Sequence, residues 1–443
     1  MLKTFSIGGV HPHENKLSVN QTIITAEIPK QAVILLGQHI GTPAKPIVAK
    51  GDIVKVGTKI AEASGFVSVP VHSSVSGKVA KIDPVIDASG YAKLAIFIDT
   101  EGDEWENNID RGGAFVKECV LTSEELIKKI AESGIVGMGG ACFPTHVKLT
   151  PPPPYKAGCV IINAVECEPY LTADHQLMLE HAEEILTGIS ILMKAVKVNK
   201  AFIGIENNKP DAIKLMTEIA SQYAGITVIP LKVKYPQGGE KQLIDAVVGR
   251  QVGSGALPIS VGAVVQNVGT AFAVYQAVQK NKPLFERVVT VTGKSLSKPS
   301  NLMVRIGTPI GQLIHACGGL PEDASKIIGG GPMMGKALIN IDIPTTKGSS
   351  GILIIDRKEG KRSEIRNCVR CAKCVNACPM GLEPYLLSAL SEKGDFERME
   401  KEKIMDCIEC GCCQFTCPAC RPLLDYCRLG KSKVGTIIRT RKN

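Results

Sequence analysis

The chain has 443 residues, of which 44% are hydrophobic and 21% are charged, and it carries a formal net charge of +9. This length suits about three or four domains, and the apolar content is ample for several cores. No apolar run reaches the roughly 18 residues of a membrane-spanning helix, and residues 1–9 lack the apolar core of a signal peptide. Because the chain also contains 16 cysteines, we expect it to work in a reducing cytoplasm.

Short β-strands are predicted for the N-terminal part of the chain. Runs rich in β-branched side chains at 67–71, 77–82 and 94–98 are separated by glycine, proline and serine. This pattern is typical of a small all-β module, which we place at 1–110.

Two segments of this module, 51–60 and 71–79, resemble the halves of a biotinyl- or lipoyl-type sandwich. In those carriers the hairpin tip between the halves bears a lysine that takes the prosthetic group. Here the tip falls at about Phe66, and no lysine lies between Lys59 and Lys78. We therefore predict a barrel-sandwich hybrid that serves in docking and does not act as a swinging arm.

From about Thr122 the apolar period changes to that of helices. Thr122 and Glu125 form a capping box, which starts a helix that we expect to end before Gly134. Alternating strands and helices then predict an α/β domain at 115–284, with a mostly parallel sheet covered on both faces. The predicted strands are 159–164, 201–205 and 226–233, and the predicted helices are 177–195, 211–223 and 240–248.

Short strands return after residue 285. Strands are predicted at 288–291, 303–306 and 352–355 around one helix at 310–316, which favours a small β-grasp unit at 285–356. A charged linker leads from it into a C-terminal domain at 360–443.

Eight cysteines of this last domain form two copies of the pattern Cys-x-x-Cys-x-x-Cys-x-x-x-Cys-Pro. This is the spacing by which bacterial ferredoxins hold 4Fe–4S clusters, with the fourth cysteine of each run reaching the other cluster. Zinc or disulfides are disfavoured, because both runs carry the same trailing proline. The predicted ligand sets are Cys368, Cys371, Cys374 and Cys417 for one cluster and Cys407, Cys410, Cys413 and Cys378 for the other.

A glycine-rich loop at 134–145 is the next candidate for chemistry. Glycines let a phosphate or a ring approach the backbone, and Lys148 shortly after could supply a counter-charge. The loop follows a helix and not a strand, so it is not a Rossmann fingerprint. Further polar clusters end predicted strands at 163–170 and 235–241, where α/β sheets bind ligands. A fourth segment, 265–270, precedes another helix, and together these segments would suit a nucleotide or a flavin.

Four motifs of the chain resemble those of a known protein family. The motifs Gly137-x-Gly-Gly-Ala-x-Phe-Pro-Thr, Asn163-x-x-Glu166-x-Glu168-Pro, Tyr235-x-x-Gly238-x-Glu240 and Asn267-x-x-Thr270 resemble, in this order, those of the FMN- and NADH-binding subunit of respiratory complex I. Nearly the whole chain resembles the RnfC family, whose members are subunits of the Rnf complexes. These complexes are membrane-bound ferredoxin:NAD oxidoreductases that pump sodium ions or protons.

The resemblance implies which residues meet the cofactors. Phe143, Glu168 and Glu240 would contact NADH, with both glutamates in the catalytic centre. The sequence departs from complex I at Met138, which replaces an arginine, and at Val165, which replaces an aspartate. The implied FMN contacts are Gly137, Gly139, Gly140, Lys148, Asn163, Glu166, Tyr235, Gly238, Gly239, Gln266, Asn267 and Thr270.

The same resemblance implies a function. The chain would exchange a hydride between NAD(H) and FMN, and single electrons with two 4Fe–4S clusters. Its partners would be the membrane subunits and the ferredoxin-like subunit of an Rnf complex, with ferredoxin served indirectly and no nucleic acid bound. We expect a peripheral position on the cytoplasmic face of the cell membrane.

Two other functions remain open from the sequence. A soluble flavin reductase, such as the corrinoid reductases, would share the same core but tends to carry the barrel-sandwich module after the clusters. A flavin-free electron-transfer scaffold would keep the eight cysteines without needing the glycine loop. Smaller alternatives also stay open: Cys142 and Cys167 are either packed or redox-sensitive, and the loop at 329–334 is either a tight turn or a contact with a partner or cofactor.

Overall fold

The computed structural model describes residues 2–442, except for the side chain of Lys442. Residues 2–25 form an extended arm that crosses other domains. Val10 pairs antiparallel with Tyr235, and the Gly9 N–H donates to the carbonyl of Ala377 at 3.0 Å. The arm ends in strand β1 (Ile23–Thr25), which joins the edge of a sheet formed much later in the chain. The arm therefore lies outside the module that the sequence predicts from residue 1.

The N-terminal module is a sandwich of a four-stranded and a three-stranded antiparallel sheet, with apolar side chains of both enclosed between them. Predicted strands at 77–82 and 94–98 are confirmed and are longer than expected, but most of 67–71 is not a strand. The strands are β2 (Gln31–Leu35), β3 (Lys45–Pro46), β4 (Ile53–Val54), β5 (Lys59–Glu62), β6 (Val71–His72), β7 (Gly77–Ile86) and β8 (Ala92–Thr100).

The hairpin tip of this module, between β5 and β6, contacts the following domain. Phe66 at the tip is 59% exposed, and its ring meets the ring of His146 edge-on at 5.7 Å between centroids. A ring nitrogen of His146 also hydrogen-bonds the Phe66 carbonyl at 2.9 Å. The tip that would carry a prosthetic group in a lipoyl-type protein is thus used here as a contact between domains.

The central domain has a four-stranded, wholly parallel sheet in the order β11-β10-β9-β12. The capping box at Thr122 is confirmed. The single helix predicted at 177–195 is wrong, because non-helical backbone at His181 divides it in two. The elements are α1 (Ser123–Glu132), α2 (Thr145–Lys148), β9 (Cys159–Asn163), α3 (Ala173–Glu180), α4 (Ala182–Ala195), β10 (Ala201–Glu206), α5 (Pro210–Ala220), β11 (Ile226–Leu231), α6 (Glu240–Val248), β12 (Ala263–Asn267) and α7 (Val268–Gln279).

The next unit is a mixed six-stranded sheet in the order β1-β14-β13-β17-β15-β16, with one main helix packed on it. The three predicted strands and the predicted helix are confirmed; the sequence prediction missed the arm strand and two further strands. The elements are β13 (Glu286–Thr292), β14 (Ser300–Arg305), α8 (Ile310–Ala316), β15 (Ala324–Gly329), β16 (Lys336–Ala337), β17 (Gly351–Asp356) and the short α9 (Arg357–Gly360).

The C-terminal domain is helical, and its two cysteine runs lie in the loops and short helices before the final long helix. No helix between residues 2 and 442 combines the length and apolar character needed to cross a membrane. The helices are α10 (Lys373–Ala377), α11 (Pro384–Lys393), α12 (Phe396–Lys401), α13 (Cys412–Phe415) and α14 (Leu423–Lys442).

Candidate functional site

The central sheet defines where a ligand would bind. The chain adds β10 and β11 on one side of β9 and then crosses to place β12 on the other side, so the order reverses between β9 and β12. In open parallel sheets this reversal leaves a crevice beyond the carboxyl ends of the two strands. Asn163 and Asn267 end these two strands as register partners. We call the surrounding region, with the glycine loop 137–143, the crevice.

The glycine loop closes over this crevice as a tight hairpin. The Gly137 N–H donates to the Phe143 carbonyl at 2.9 Å. A Cβ atom on Gly139 would lie 2.8 Å from the Asn267 amide nitrogen, so only glycine lets the loop approach this closely. Gly140 has no heavy atom within 4 Å of such a Cβ position and faces open space. The loop therefore offers an exposed backbone edge to a ligand.

Two buried groups tie this loop to its surroundings. The Thr270 hydroxyl accepts the Met138 N–H at 2.9 Å, and Thr270 is fully buried. The buried Arg287, from β13, donates to the Met138 carbonyl at 3.4 Å. The positively charged Arg287 side chain thus contacts the loop from another domain. The contact is at Met138, which stands where the complex I subunit has an arginine.

Gln266 is the clearest sign that a ligand belongs in the crevice. Its side chain is 2% exposed, and neither amide atom has a hydrogen-bond partner in the described part of the chain. Buried polar atoms without partners are rare and costly, so they point to a missing group. A polar cofactor at the end of β12 would supply both a donor and an acceptor, which fits a flavin.

The mouth of the crevice carries an ion pair. Lys148 donates to Glu240 at 2.6 Å and to the carbonyl of Val265 at 3.1 Å. Both side chains are partly exposed, so they can exchange partners with a ligand. On the opposite side, the Asn163 amide donates to the Gly238 carbonyl at 2.8 Å and holds the 235–240 loop against β9. The predicted contacts from three separate motifs therefore converge around one space.

Glu166 has an internal role in the structure. Its carboxylate accepts the N–H groups of Asp174 at 2.8 Å and His175 at 3.1 Å, at the start of α3. The Asp174 side chain in turn accepts from Asn267 at 2.7 Å. Burial, together with the nearby Glu166 charge, raises the pKa of Asp174 to about 7. No sequence motif marks Asp174, yet its carboxyl group contacts Asn267 at the end of β12.

Two lysines, of which Lys209 is fully buried and Lys16 half-buried, hold the loop that carries these acids. Lys16, from the arm, donates to the carbonyls of Glu166 at 2.9 Å and Glu168 at 3.0 Å, and Lys209 donates to that of Val165 at 2.7 Å. Burial lowers the pKa of Lys16. No local pattern marks either lysine, because the contacts join distant parts of the sequence.

Glu168 and Tyr235 form hydrogen bonds with the other domains. Glu168 Oε1 accepts the N–H groups of Met333 and Met334, both at 2.8 Å, while its Oε2 is buried without a partner among residues 2–442. Burial raises the pKa of Glu168, and those two amides and the Tyr235 hydroxyl lower it. The Tyr235 hydroxyl donates to the Cys410 carbonyl at 2.9 Å. We call the contacts among Glu168, Tyr235, the 331–334 loop and the Cys410 segment the junction.

The loop at 329–334 is therefore a contact between domains and not only a tight turn. Gly331 has no space for a side chain, because a Cβ atom there would lie 2.0 Å from Cγ of Glu168. The Met334 carbonyl also accepts from Arg428 of α14 at 2.7 Å. The loop thus joins the central domain to the C-terminal domain.

The cysteines fit two four-iron clusters. Cys378, Cys407, Cys410 and Cys413, which form one predicted ligand set, line a single cavity with apolar neighbours. In the other set, Cys374 lies close enough to Cys417 for that thiol to raise its pKa, after the larger effect of burial. No three His, Cys, Asp or Glu side chains within 2–442 converge on one metal-ion position. A 4Fe–4S cube binds its thiolates at its corners, farther apart than the ligands of one ion.

The remaining cysteines in the site are packed. Burial raises the pKa of both Cys142 and Cys167, and Cys167 accepts the Gly238 N–H at 3.4 Å. A thiol held protonated by burial is a poor nucleophile. The packed alternative is therefore favoured over a redox-sensitive one for these two residues.

Known protein families match four successive parts of the chain. They are the RnfC barrel sandwich hybrid domain at 3–103, the Nuo51 FMN-binding domain at 130–276, the SLBB domain at 288–337 and the 4Fe-4S dicluster domain at 361–418. The chain is thus a flavin- and iron–sulfur-binding electron-transfer protein, and the predicted fold class and cofactors are confirmed.

Similarity to individual proteins identifies the family within this class. The chain is 47% identical to the C subunit of the proton-translocating ferredoxin:NAD(+) oxidoreductase complex of Clostridium ljungdahlii, over 98% of this chain and 94% of that one. It is 42% identical to the C subunit of the Na(+)-translocating complex of Acetobacterium woodii, over 96% of both chains. The C subunit of an ion-translocating oxidoreductase complex of Rhodobacter capsulatus is 41% identical over 98% of this chain and 84% of its own length. The chain belongs to the RnfC family, the C subunits of the Rnf ion-translocating oxidoreductase complexes.

Proposed function

We propose that this chain is the peripheral NAD(H)- and FMN-binding subunit of a membrane-bound, ion-translocating ferredoxin:NAD oxidoreductase. The observation that carries the proposal is the hydrogen bond from Tyr235 to the carbonyl of Cys410. It joins the loop that borders the crevice to a cysteine of the second ligand set. The loops that would hold a two-electron carrier and a one-electron carrier are thus joined within one chain.

The crevice residues would hold FMN. The backbone of Gly137, Gly139 and Gly140 lets the cofactor approach, and Gln266 and Asn163 offer amide groups at the strand ends. Lys148 supplies a positive charge for the phosphate once it leaves Glu240. When bound, FMN exchanges a hydride with NAD(H) and single electrons with iron–sulfur clusters. The remaining predicted contacts are Glu166, Tyr235, Gly238, Gly239, Asn267 and Thr270; of these, Glu166 and Thr270 hold the crevice in shape.

Phe143, Glu240 and Glu168 would meet NAD(H). Phe143 is half-buried beside the exposed loop edge, so its ring is available for stacking. Glu240 begins α6 at the mouth, where it can accept from a ribose or an amide after Lys148 turns away. Glu168 has only Oε2 free, because Oε1 already accepts two backbone N–H groups.

The subunit would lie on the cytoplasmic face of the membrane. The NAD(H) and ferredoxin that the complex would use are cytoplasmic, and the membrane subunits of an Rnf complex would hold the chain there. Two relatives move different ions, protons in one case and Na⁺ in the other. Ion choice therefore belongs to other subunits in this proposal.

Anaerobic reconstitution tests the function. We expect the protein to bind one FMN and about eight irons, and we expect NADH to bleach the flavin and to drive reduction of an artificial dye. Cys374→Ala should abolish electron exit through the clusters and leave hydride transfer to the flavin intact. Cys119→Ala, outside the cysteine pattern, is the matched control and should change neither of them. Iron without flavin, together with no NADH-dependent dye reduction, would contradict the proposal.

A further inference from the structure

Four lysine or arginine side chains in the described part of the chain are buried, and they are of two kinds. Lys209 lies 3.8 Å from the Glu206 carboxylate, and Lys280 donates to a carboxylate at 2.7 Å. Arg287 and Lys347 are 5% and 1% exposed, yet neither forms an ion pair with any residue between 2 and 442. Burying a charge without a partner is costly, so these two cations indicate that an anion belongs near them.

Arg287 and Lys347 lie together against the glycine loop. Arg287 of β13 donates to the carbonyl of Lys347 and, at 3.4 Å, to that of Met138. Lys347 donates to the carbonyl of Gly134 at 2.7 Å, just before the loop, and to that of Pro70 at 3.1 Å. The acceptors of both cations are therefore uncharged carbonyls, and two like charges are packed beside one loop.

The acidic groups that act on this pair are Cys142 and Asp174, and neither supplies the charge. Burial raises the pKa of Cys142, so this side chain remains a neutral thiol near pH 7. Burial also raises the pKa of Asp174 to about 7, and its carboxyl group accepts from Asn267 at 2.7 Å, not from Arg287. The pair therefore keeps an excess of positive charge.

The glycine loop also rests on the start of α7. The Met138 N–H donates to the Thr270 hydroxyl at 2.9 Å. A Cβ atom on Gly139 would lie 2.8 Å from the amide nitrogen of Asn267, which caps α7 by accepting the Gly269 N–H at 2.8 Å. The start of a helix attracts anions, and a glycine backbone leaves room for a phosphate group. The two buried cations and the start of α7 thus favour negative charge at the same loop.

We propose that Arg287 and Lys347 balance the charge of the FMN phosphate from behind the glycine loop. Both side chains are buried, so they act through the loop as positioning residues and do not serve as direct contacts. Lys148 at the mouth differs from them, because its charge is already paired with Glu240 at 2.6 Å. The proposal rests on the function proposed above and adds which part of the flavin the buried charge recognises.

Riboflavin, which is FMN without its phosphate, separates recognition of the phosphate from binding of the ring. The dissociation constants of both flavins are measured by flavin fluorescence on the full chain with its clusters reconstituted. Arg287→Met should lower the preference for FMN over riboflavin by roughly tenfold or more, because charges inside a protein are poorly screened. Lys347→Met should lower this preference by a smaller factor, because its hydrogen bonds lead away from the tip of the loop.

Two further variants serve as controls. Arg287→Lys keeps the positive charge and should keep most of the preference for FMN. Lys326→Met removes a lysine of the same β-grasp unit that donates to the carbonyl of Gly360, and it should leave the preference unchanged.

The outcomes separate the proposal from the function on which it rests. Equal losses of FMN and riboflavin binding in both methionine variants would reveal a role in loop shape alone and would overturn the proposal. An unchanged preference in both variants, or equal affinity of the unaltered protein for the two flavins, would also overturn it. Failure of the unaltered protein to bind either flavin would instead contradict the proposed function.

The pH dependence of FMN binding gives a second measurement. Burial lowers the pKa of Lys347 to about 7, and a nearby phosphate would raise it again, so FMN binding should take up a proton. The other ionisable groups around Lys347 are Arg287, Cys142, His39 and His72. Burial lowers the pKa of His39, and that of His72 to about 3, so neither histidine titrates above pH 7.

FMN affinity should therefore fall as the pH rises from about 7 to about 9, whereas riboflavin affinity should stay nearly constant. Lys347→Met should remove this fall, because the group that takes up the proton is gone. The same fall in Lys347→Met as in the unaltered protein would contradict the role of Lys347 in the proposal.

Discussion

The crevice and the junction lie at two ends of one short loop, which begins at Asn163 and passes Glu168. They differ in whether their polar groups already have hydrogen-bond partners within the protein. In the crevice, Gln266 has no partners among the described residues and Gly140 faces open space. At the junction, Glu168 Oε1 accepts two backbone amides and the Tyr235 hydroxyl donates to a carbonyl. The crevice is therefore prepared for a ligand, while the junction already has its partner, which is another part of the same chain.

This difference shows that residues of one motif do not share one task. Asn163, Glu166 and Glu168 lie within six positions and all belong to the pattern that resembles a flavin and NADH site. In the structure the first faces the crevice, the second caps a helix, and the third holds a loop of another domain. Variants in the crevice should therefore alter cofactor affinity, and variants at the junction should alter the coupling between domains.

The largest effect is expected for Glu168→Ala. The N–H groups of Met333 and Met334 would lose their acceptor, and each buried donor left unpaired costs about 1–3 kcal/mol. Hydrogen exchange in the 331–334 loop should then accelerate by about tenfold for every 1.4 kcal/mol lost. FMN affinity should stay unchanged, as followed by flavin fluorescence. Glu168→Gln keeps an acceptor at Oε1 and is the control. Equal exchange rates in both variants would show that the Glu168 side chain does not hold the 331–334 loop.

A smaller effect is expected in the crevice for Gly139→Ala. The added methyl would press on Asn267, and overpacking of this kind costs about 1–3 kcal/mol. FMN-free protein should unfold at a lower temperature, and its Kd for FMN should rise. Gly140→Ala has space around it, so it should leave the FMN-free protein as stable as before and weaken only FMN binding. Equal loss of stability in both variants would contradict the different surroundings of these two glycines.

Gln266→Leu should stabilise the FMN-free protein but weaken its binding of FMN. Removing two unpaired buried polar atoms should stabilise the FMN-free protein by about 1–3 kcal/mol. If the Gln266 amide contacts the cofactor as proposed, its loss should weaken FMN binding by about 0.5–1.5 kcal/mol. Thermal unfolding without FMN and titration with FMN measure the two effects. A destabilised FMN-free variant would show that the amide has partners within the protein.

A pH dependence is also expected in the crevice. The folded protein holds the Asp174 proton up to about pH 7, whereas the unfolded chain releases it near 3.8. Between these values the folded state binds more protons, so stability falls as pH rises, by at most about 1.4 kcal/mol per pH unit from this group. Asp174→Asn keeps an acceptor for Asn267 and should flatten this part of the curve. A slope that is unchanged in Asp174→Asn would assign it to other groups.

The sequence predicts local features of the fold well. The box at Thr122 starts its helix, and helices appear at Glu240–Val248 and Ile310–Ala316 as predicted. The cysteine spacing leads to a ligand set that does line one cavity. These features depend on neighbours a few residues apart, so the pattern itself contains the information.

Features that join distant segments could not be predicted. The break at His181 lies inside a continuous apolar period, and the period alone favours one long helix. The roles of Lys16, Arg287 and the 331–334 loop come from contacts across more than a hundred positions. Their sequence surroundings carry no mark of a site, because the partner groups are backbone carbonyls and amides that every residue possesses.

The arm also sets the order in which the protein can be completed. Its Gly9 contacts Ala377, and its strand β1 pairs with β14, so the arm must wait for segments that are made much later. At the usual rate of synthesis this wait lasts roughly 20–70 s. During it the central domain can fold around its own sheet, but Lys16 is free to leave the loop that it later holds. The arm can therefore take its final position only after β14 and the segment around Ala377 have been made.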